Sequence, residues 1–194
     1  MATSAPAPVT AQGLPTTGLW EVEPKHSSVG FRIIHHAVAT FRTSFEQFEA
    51  QFDAGSGTFS GSVDVASVRA FDLLKDKLLS DEFFDAENYS EMRFVSTTIE
   101  RSANRIAVDG DLTIKDQTRP VRVAGVVLGT APVFHFMTKT THEHFGVDLE
   151  LTIDRRDFGL TFNNPLPNGM LNLGSHVTIE LGLEFFNTEA IAES

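Results

Sequence analysis

The chain has 194 residues, 41% of them hydrophobic and 21% charged, and its 26 acidic against 15 basic side chains give a formal net charge of -11. That length suits one domain with a sizeable core, and the acidic balance argues against nucleic acid and anionic membranes, whose phosphates call for clustered Lys and Arg. No apolar run approaches the roughly 18–20 residues of a membrane span, and the lack of Cys removes disulfides, thiol nucleophiles and Cys-based metal sites.

Residues 1–18 hold Pro6, Pro8, Gly13, Pro15 and Gly18 among Thr and Ala, with no charge and no apolar core. This reads as a disordered leader. It lacks both parts of a secretory signal, which implies a cytoplasmic protein if Met1 is the natural start.

From residue 19 the hydrophobic period is two. Val29, Phe31, Ile33 and His35 alternate with Ser28, Gly30, Arg32 and Ile34; Phe48, Ala50 and Phe52 form the next series. Ala70 to Ala86 breaks the pattern. Leu74, Leu78 and Leu79 recur at helical spacing there, so a short helical insertion is expected over 70–86, with a turn or second short helix following Ser80. Alternation resumes at Ile106 to Ile114, Val121 to Gly125, Val147 to Ile153 and Val177 to Phe185. Short turns such as Asp53 to Gly57 and Lys115 to Pro120 favour antiparallel neighbours. The fold class is therefore all-β. One antiparallel barrel of about eight strands over residues 19–187, or a two-layer sandwich, accommodates it, with a tail at 188–194.

Leu160 to Ser175 is uncharged, rich in turn formers, and carries Leu166, Met170, Leu171 and Leu173. It fits either a lid over one barrel end or a loop folded on the outer surface. Arg155-Arg156-Asp157 reads as strand, with a charge at the barrel mouth or an ion pair on its rim.

The chemistry-bearing motifs are sparse. His142 and His144 share one strand face, as metal ligands often do, so a metal-dependent or small-molecule enzyme on a β-barrel is the alternative function. His35 and His36 are adjacent and face opposite sides of a strand. No nucleophile elbow or phosphate loop occurs. Asp81, Glu82, Asp85 and Glu87 read as a solvated face. The aromatic count is lopsided, with 17 Phe against one Trp and one Tyr. Phe lacks a polar tip, so this excess means either a thick dry core or a dry cavity.

Several segments carry a family resemblance. Trp20, Pro24, His26, Ser27, Val29, Phe31 and His35 resemble the first strand of the YceI-like family, polyisoprenoid-binding proteins of lipocalin-like shape. Phe45 and Phe48 fit its next strand; Ser80, Phe83, Phe84, Asp85 and Tyr89 fit the motif after its helix, and Phe94-Val95-Ser96 follows. Gly110, Leu112, Thr113, Ile114, Thr118, Pro120 and Val121 fit a hairpin, and Arg155, Phe158, Gly159, Gly174 and Val177 fit the late elements. The likeness runs from Leu19 to Phe186. Departures are Leu74 to Leu78 where the family has R-D-x-H-L, and Thr43, Asp116 and Ser90 at positions of Gly, Gly and Pro.

The resemblance implies a lipocalin-like barrel that binds an isoprenoid lipid, of quinone or polyprenyl type, without catalysis, metal or cofactor. A filled-core barrel that binds another protein, and a homodimer, stay open. Strand alternation nominates the ligand wall: Val29, Phe31, Ile33 and His35, with Phe45, Phe48, Phe94 and Leu112. Val123, Phe136, Leu149, Phe158, Ile179 and Leu181 complete it, and His35 and Arg155 are the headgroup candidates.

Overall fold

The computed structural model describes residues 13–189. Ten strand segments make one antiparallel sheet: β1 (Leu19–Val22), β2 (Ser28–His35), β3 (Ala39–Phe45), β4 (Phe48–Asp53), β5 (Thr58–Asp64), β6 (Glu91–Ser102), β7 (Arg105–Ile114), β8 (Gln117–His135), β9 (Thr140–Asp154) and β10 (Leu173–Asn187). Among the described residues the single α-helix is α1 (Asp72–Leu79).

The sheet closes on itself. β10 pairs along its first part with β2 and at its end with β1. β1 and β2 are thus one stave, interrupted by a 3-10 turn at Pro24–His26 where Pro24 cannot donate to a ladder. β3 pairs with β2, and β4 with β1, so β3 and β4 form a second interrupted stave. Merging both pairs turns the ten segments into eight staves of a closed lipocalin-like barrel. Closure removes the edges that an open sheet would expose.

The helical insertion is shorter than 70–86. Only Asp72–Leu79 is helical, ending at an extended Ser80. Residues after it turn, with Asp85 in the left-handed region, and send Phe84 into the core. The insertion covers the side of β3 that β5 does not reach: Arg69 N donates to Ser44 O at 2.8 Å and Glu46 N to Ser67 O at 3.1 Å. The strand expected at Arg155 to Asp157 is instead a 3-10 turn, Arg155–Phe158. Asp154 initiates it by accepting from Arg156 N at 3.0 Å, and Gly159 closes it at φ 75°.

The leader expectation falls for its described part. Leu14 is buried and packs at one barrel end, and its carbonyl accepts from Arg101 Nη1. A lone Leu among Pro, Gly and Thr carries no period that would announce this. Residues 1–12 and 190–194, the rest of the leader and most of the tail, lie outside the described residues.

The β2–β3 turn places His36 and Ala37 consecutively in the left-handed region, at φ 54° and 57°. This matches the primed turn that two-residue hairpins favour, but with residues that carry a Cβ. Ala37→Gly is expected to stabilise the protein by about 0.5–1 kcal/mol, because relief of the left-handed penalty exceeds the added freedom of the unfolded chain. A thermal melt measures it, and an unchanged or lower midpoint would show the turn to be unstrained.

Candidate functional site

Two apolar clusters divide the barrel interior. At one end Trp20, Phe52, Phe59, Phe145 and Phe185 interlock. Phe145 stacks on Phe185 with centroids 4.9 Å apart and meets Trp20 edge-on at 5.2 Å. These rings plug that end. The second cluster, around Val29, Phe45, Leu78, Leu112 and Ile153, surrounds open space instead of filling it.

That space is a cavity of about 630 Å³. It lies within the range of small-molecule sites, roughly 300–1,000 Å³. The alternation explains its wall. Side chains of one parity on each strand point inward, and β2 turns Val29, Phe31, Ile33 and His35 into the cavity while Ile34 faces out. Phe45, Phe48, Phe94, Leu112 and Val123 join them from β3, β4, β6, β7 and β8. Leu149, Ile179 and Leu181 complete the wall from β9 and β10. Gly110 makes room for one of these rings, since a Cβ there would lie 2.5 Å from Phe94 Cζ.

Two nominated residues stand elsewhere. Phe136 is 85% exposed, in the β8–β9 turn beyond the plugged end, where the hairpin outruns the barrel and alternation no longer means burial. Phe158 is fully buried in the core and does not line the cavity: a strand continued in phase with Leu149, Leu151 and Ile153 would have turned it outward, and the 3-10 turn re-aims it into the core. Sequence reasoning missed Phe71, Leu74 and Phe83 from the insertion, and Phe162 from the loop. The apolar residues in those segments were the available signal. Leu151 and Ile153 also line the cavity, in phase with Leu149.

His35, Lys77, Arg155, Asn164 and Asn172 are the polar groups at the open end, and Glu49, Ser60, Ser62 and Arg93 of β4, β5 and β6 also border the cavity. Arg155 is not at the rim. It is 4% exposed and ties the following loop to the barrel, with Nε donating to Gly174 O at 2.9 Å and Nη1 to Leu160 O. Burial lowers its pKa, from so high a starting value that it stays cationic. Burial, and then the adjacent His36, push His35 below the usual imidazole value and favour its neutral form. The two rings lie against each other, tilted by 30° with centroids 3.7 Å apart, instead of facing opposite sides, because His36 already belongs to the turn. Among the described residues, Asn172 Oδ1 is the buried side-chain polar atom without a hydrogen-bond partner.

The segment from Leu160 borders the cavity through Phe162, Asn164 and Asn172. It folds on itself as Leu166 N donates to Met170 O at 2.7 Å and Asn172 N to Asn164 O at 3.0 Å. Asn163 clamps its ends by exchanging hydrogen bonds with the Leu173 backbone, 2.7 and 3.0 Å.

His142 and His144 do share an outer face near the plugged end, with His135 beside them. Among the described residues, no group of three or more His, Asp or Glu could hold a metal ion. The imidazoles have other partners. His144 Nδ1 donates to Glu184 Oε1 at 2.6 Å, its Nε2 lies 2.8 Å from His135 Nε2, and His142 Nδ1 donates to Asn187 O at 2.8 Å.

His144 is 5% exposed, and burial outweighs the opposing pull of Glu184 to lower its pKa from 6.5. The folded state therefore binds fewer protons at this site than the unfolded chain. Its stability contribution is complete above pH 6.5 and is lost as pH falls below that value. Thermal midpoints are expected to drop between about pH 7.5 and pH 5.5, and to drop less in His144→Gln. An equal drop in both proteins would assign the slope to other groups.

No helix among the described residues is long and apolar enough to cross a membrane. The sequence pattern of the YceI-like domain matches residues 20–185. A UPF0312 protein of Staphylococcus aureus (strain MSSA476) is 29% identical over 174 residues, which cover 84% of this chain and 95% of that one. The crystal structure of Burkholderia cenocepacia BcnA is similar at TM-score 0.68 and 25% identity, covering 84% of this chain and 98% of the other. A polyisoprenoid binding domain from Saccharophagus degradans, implicated in plant cell wall breakdown, shares the fold at TM-score 0.66 and 13% identity, over 87% and 98% of the two chains. The closed barrel, its apolar cavity and a match over nearly the whole described chain lead to one assignment: this chain belongs to the YceI-like domain family.

Proposed function

We propose that the protein binds an isoprenoid lipid, of quinone or polyprenyl type, in its barrel cavity and carries or sequesters it without chemical change. The observation that carries this reading is the cavity wall, built from Phe, Leu, Ile and Val on nine of the ten strand segments and closed by aromatic rings at one end. An isoprenoid tail is a branched hydrocarbon, and each buried methylene-sized group contributes about 0.8 kcal/mol. Such a tail satisfies this wall, whereas a polar ligand would lose hydrogen bonds along its length. The polar groups at the open end suit a headgroup, with neutral His35 and the Asn172 amide beside it. The polyisoprenoid binding domain with the same barrel supports the ligand class.

Solvent extraction of the purified protein, followed by mass spectrometry, tests the reading. One isoprenoid at near-stoichiometric yield is expected. An empty extract, repeated after incubation with quinones and polyprenols, would refute it. Phe136→Ser serves as a control: it sits beyond the plugged end and is expected to leave lipid yield unchanged.

A further inference from the structure

The three segments that frame the open end each turn apolar side chains outward. The β2–β3 hairpin exposes Ile34 near the end of β2 and Val38 in its turn, the start of α1 exposes Phe71 and Leu73, and the loop after Leu160 exposes Met170 and Leu171. Val38 is 84% exposed and Leu73 77%. The segments adjoin one another. His36 N donates to Asn172 O at 2.6 Å, joining the turn to the loop, and Phe162 of the loop meets Phe83 at 5.0 Å and Lys77 at 4.2 Å, joining it to the insertion. Isolated exposed apolar residues are ordinary; six in three adjoining segments are not.

We propose that this rim docks on a zwitterionic lipid bilayer, so that an isoprenoid chain passes between membrane and cavity without crossing water. The proposal rests on the lipid-binding reading above. Three observations favour a bilayer over a protein partner. The apolar side chains stand on three separate segments, a hairpin, a helix start and a loop, which suits shallow insertion and does not form the single groove that a helix or strand would need. The rim is continuous with the cavity, because Phe71 belongs to both. The turn that presents Val38 keeps two Cβ-bearing residues in the left-handed region, a cost that persists most often where a segment is functional. Charge selects the headgroup class. Arg69 is committed to Glu46 at 2.8 Å, Lys77 to Glu82 and Arg155 to backbone carbonyls; Lys75 shares α1 with Asp72 and Asp76, and the chain's net charge of -11 repels an anionic surface.

Flotation with phosphatidylcholine vesicles tests this, alongside uptake of a short-chain prenol from solution. The wild-type protein is expected to take up the prenol and float with the vesicles. Val38→Asp/Leu73→Asp should cut the floated fraction at least tenfold and leave prenol uptake intact, since neither residue lines the cavity. Met137→Asp at the opposite end should float like the wild type. Uptake without flotation would overturn docking and leave the carrier reading standing. Failure of uptake would overturn the carrier reading, and docking with it. If the double variant instead splits a wild-type dimer in sedimentation while flotation is unchanged, a second copy covers the rim and docking is wrong.

Discussion

Phe31→Asp is expected to abolish lipid retention, weakening binding by at least about 100-fold, while the barrel still folds. Phe31 lies midway along β2, lines the cavity, and meets Phe45 and Phe41 at 5.8 and 6.4 Å. A carboxylate there would face hydrocarbon, and an unpaired charge taken out of water costs several kcal/mol; about 2.7 kcal/mol already corresponds to 100-fold. The backbone ladder should survive, because β2 is hydrogen-bonded to β3 on one side and β10 on the other, pairing Phe31 with Thr43 and Ile179. Position 31 borders the cavity and not a close-packed core, so in the lipid-free protein water can solvate the carboxylate. Phe31→Leu separates the effects by keeping the apolar wall and much of the retention. Undiminished retention in Phe31→Asp, measured on protein with a native circular dichroism spectrum, would move the lipid to another site.

Phe145→Ala should cost about 3–5 kcal/mol of stability, the range for truncating a buried aromatic. Phe145 is 1% exposed and touches Trp20, Phe52 and Phe185 at once. Its removal leaves a void among rings that cannot collapse without breaking their mutual packing. At this chain length the thermal midpoint should fall by roughly 10 °C. The lipid capacity of the remaining folded protein should hold, because Phe145 belongs to the plug and not to the cavity wall. A loss below about 1 kcal/mol would mean the plug is loosely packed. A loss of capacity with stability retained would mean the tail threads through the plug.

These two residues show what strand parity can and cannot resolve. Both are Phe in clean alternating runs on inward-facing strand positions. Which of them meets a ligand depends on depth along the barrel, where opposing staves either interlock or stand apart. That spacing is fixed by shear and closure, not by any local pattern. The same limit explains Phe136 and Phe158. Alternation predicts the inner face only while the strand runs along the barrel. A hairpin that outruns it leaves Phe136 in solvent, and a 3-10 turn re-aims Phe158 into the core.

The sequence by itself determined the fold class, the strand phases and the apolar character of the interior. These follow from a period of two and from Phe chosen over Tyr and Trp, which are local and compositional properties. It also placed the wall residues of β2, β6 and β7 on one face. The tertiary structure decided what no window of residues contains. Leu14 closes one end, Arg155 serves the loop's carbonyls, and the insertion's Phe71 and Phe83 reach the cavity. Leu14 and the insertion join segments far apart in the chain, and Arg155 spans the ends of its own loop; their packing is settled only when the eighth stave meets the first.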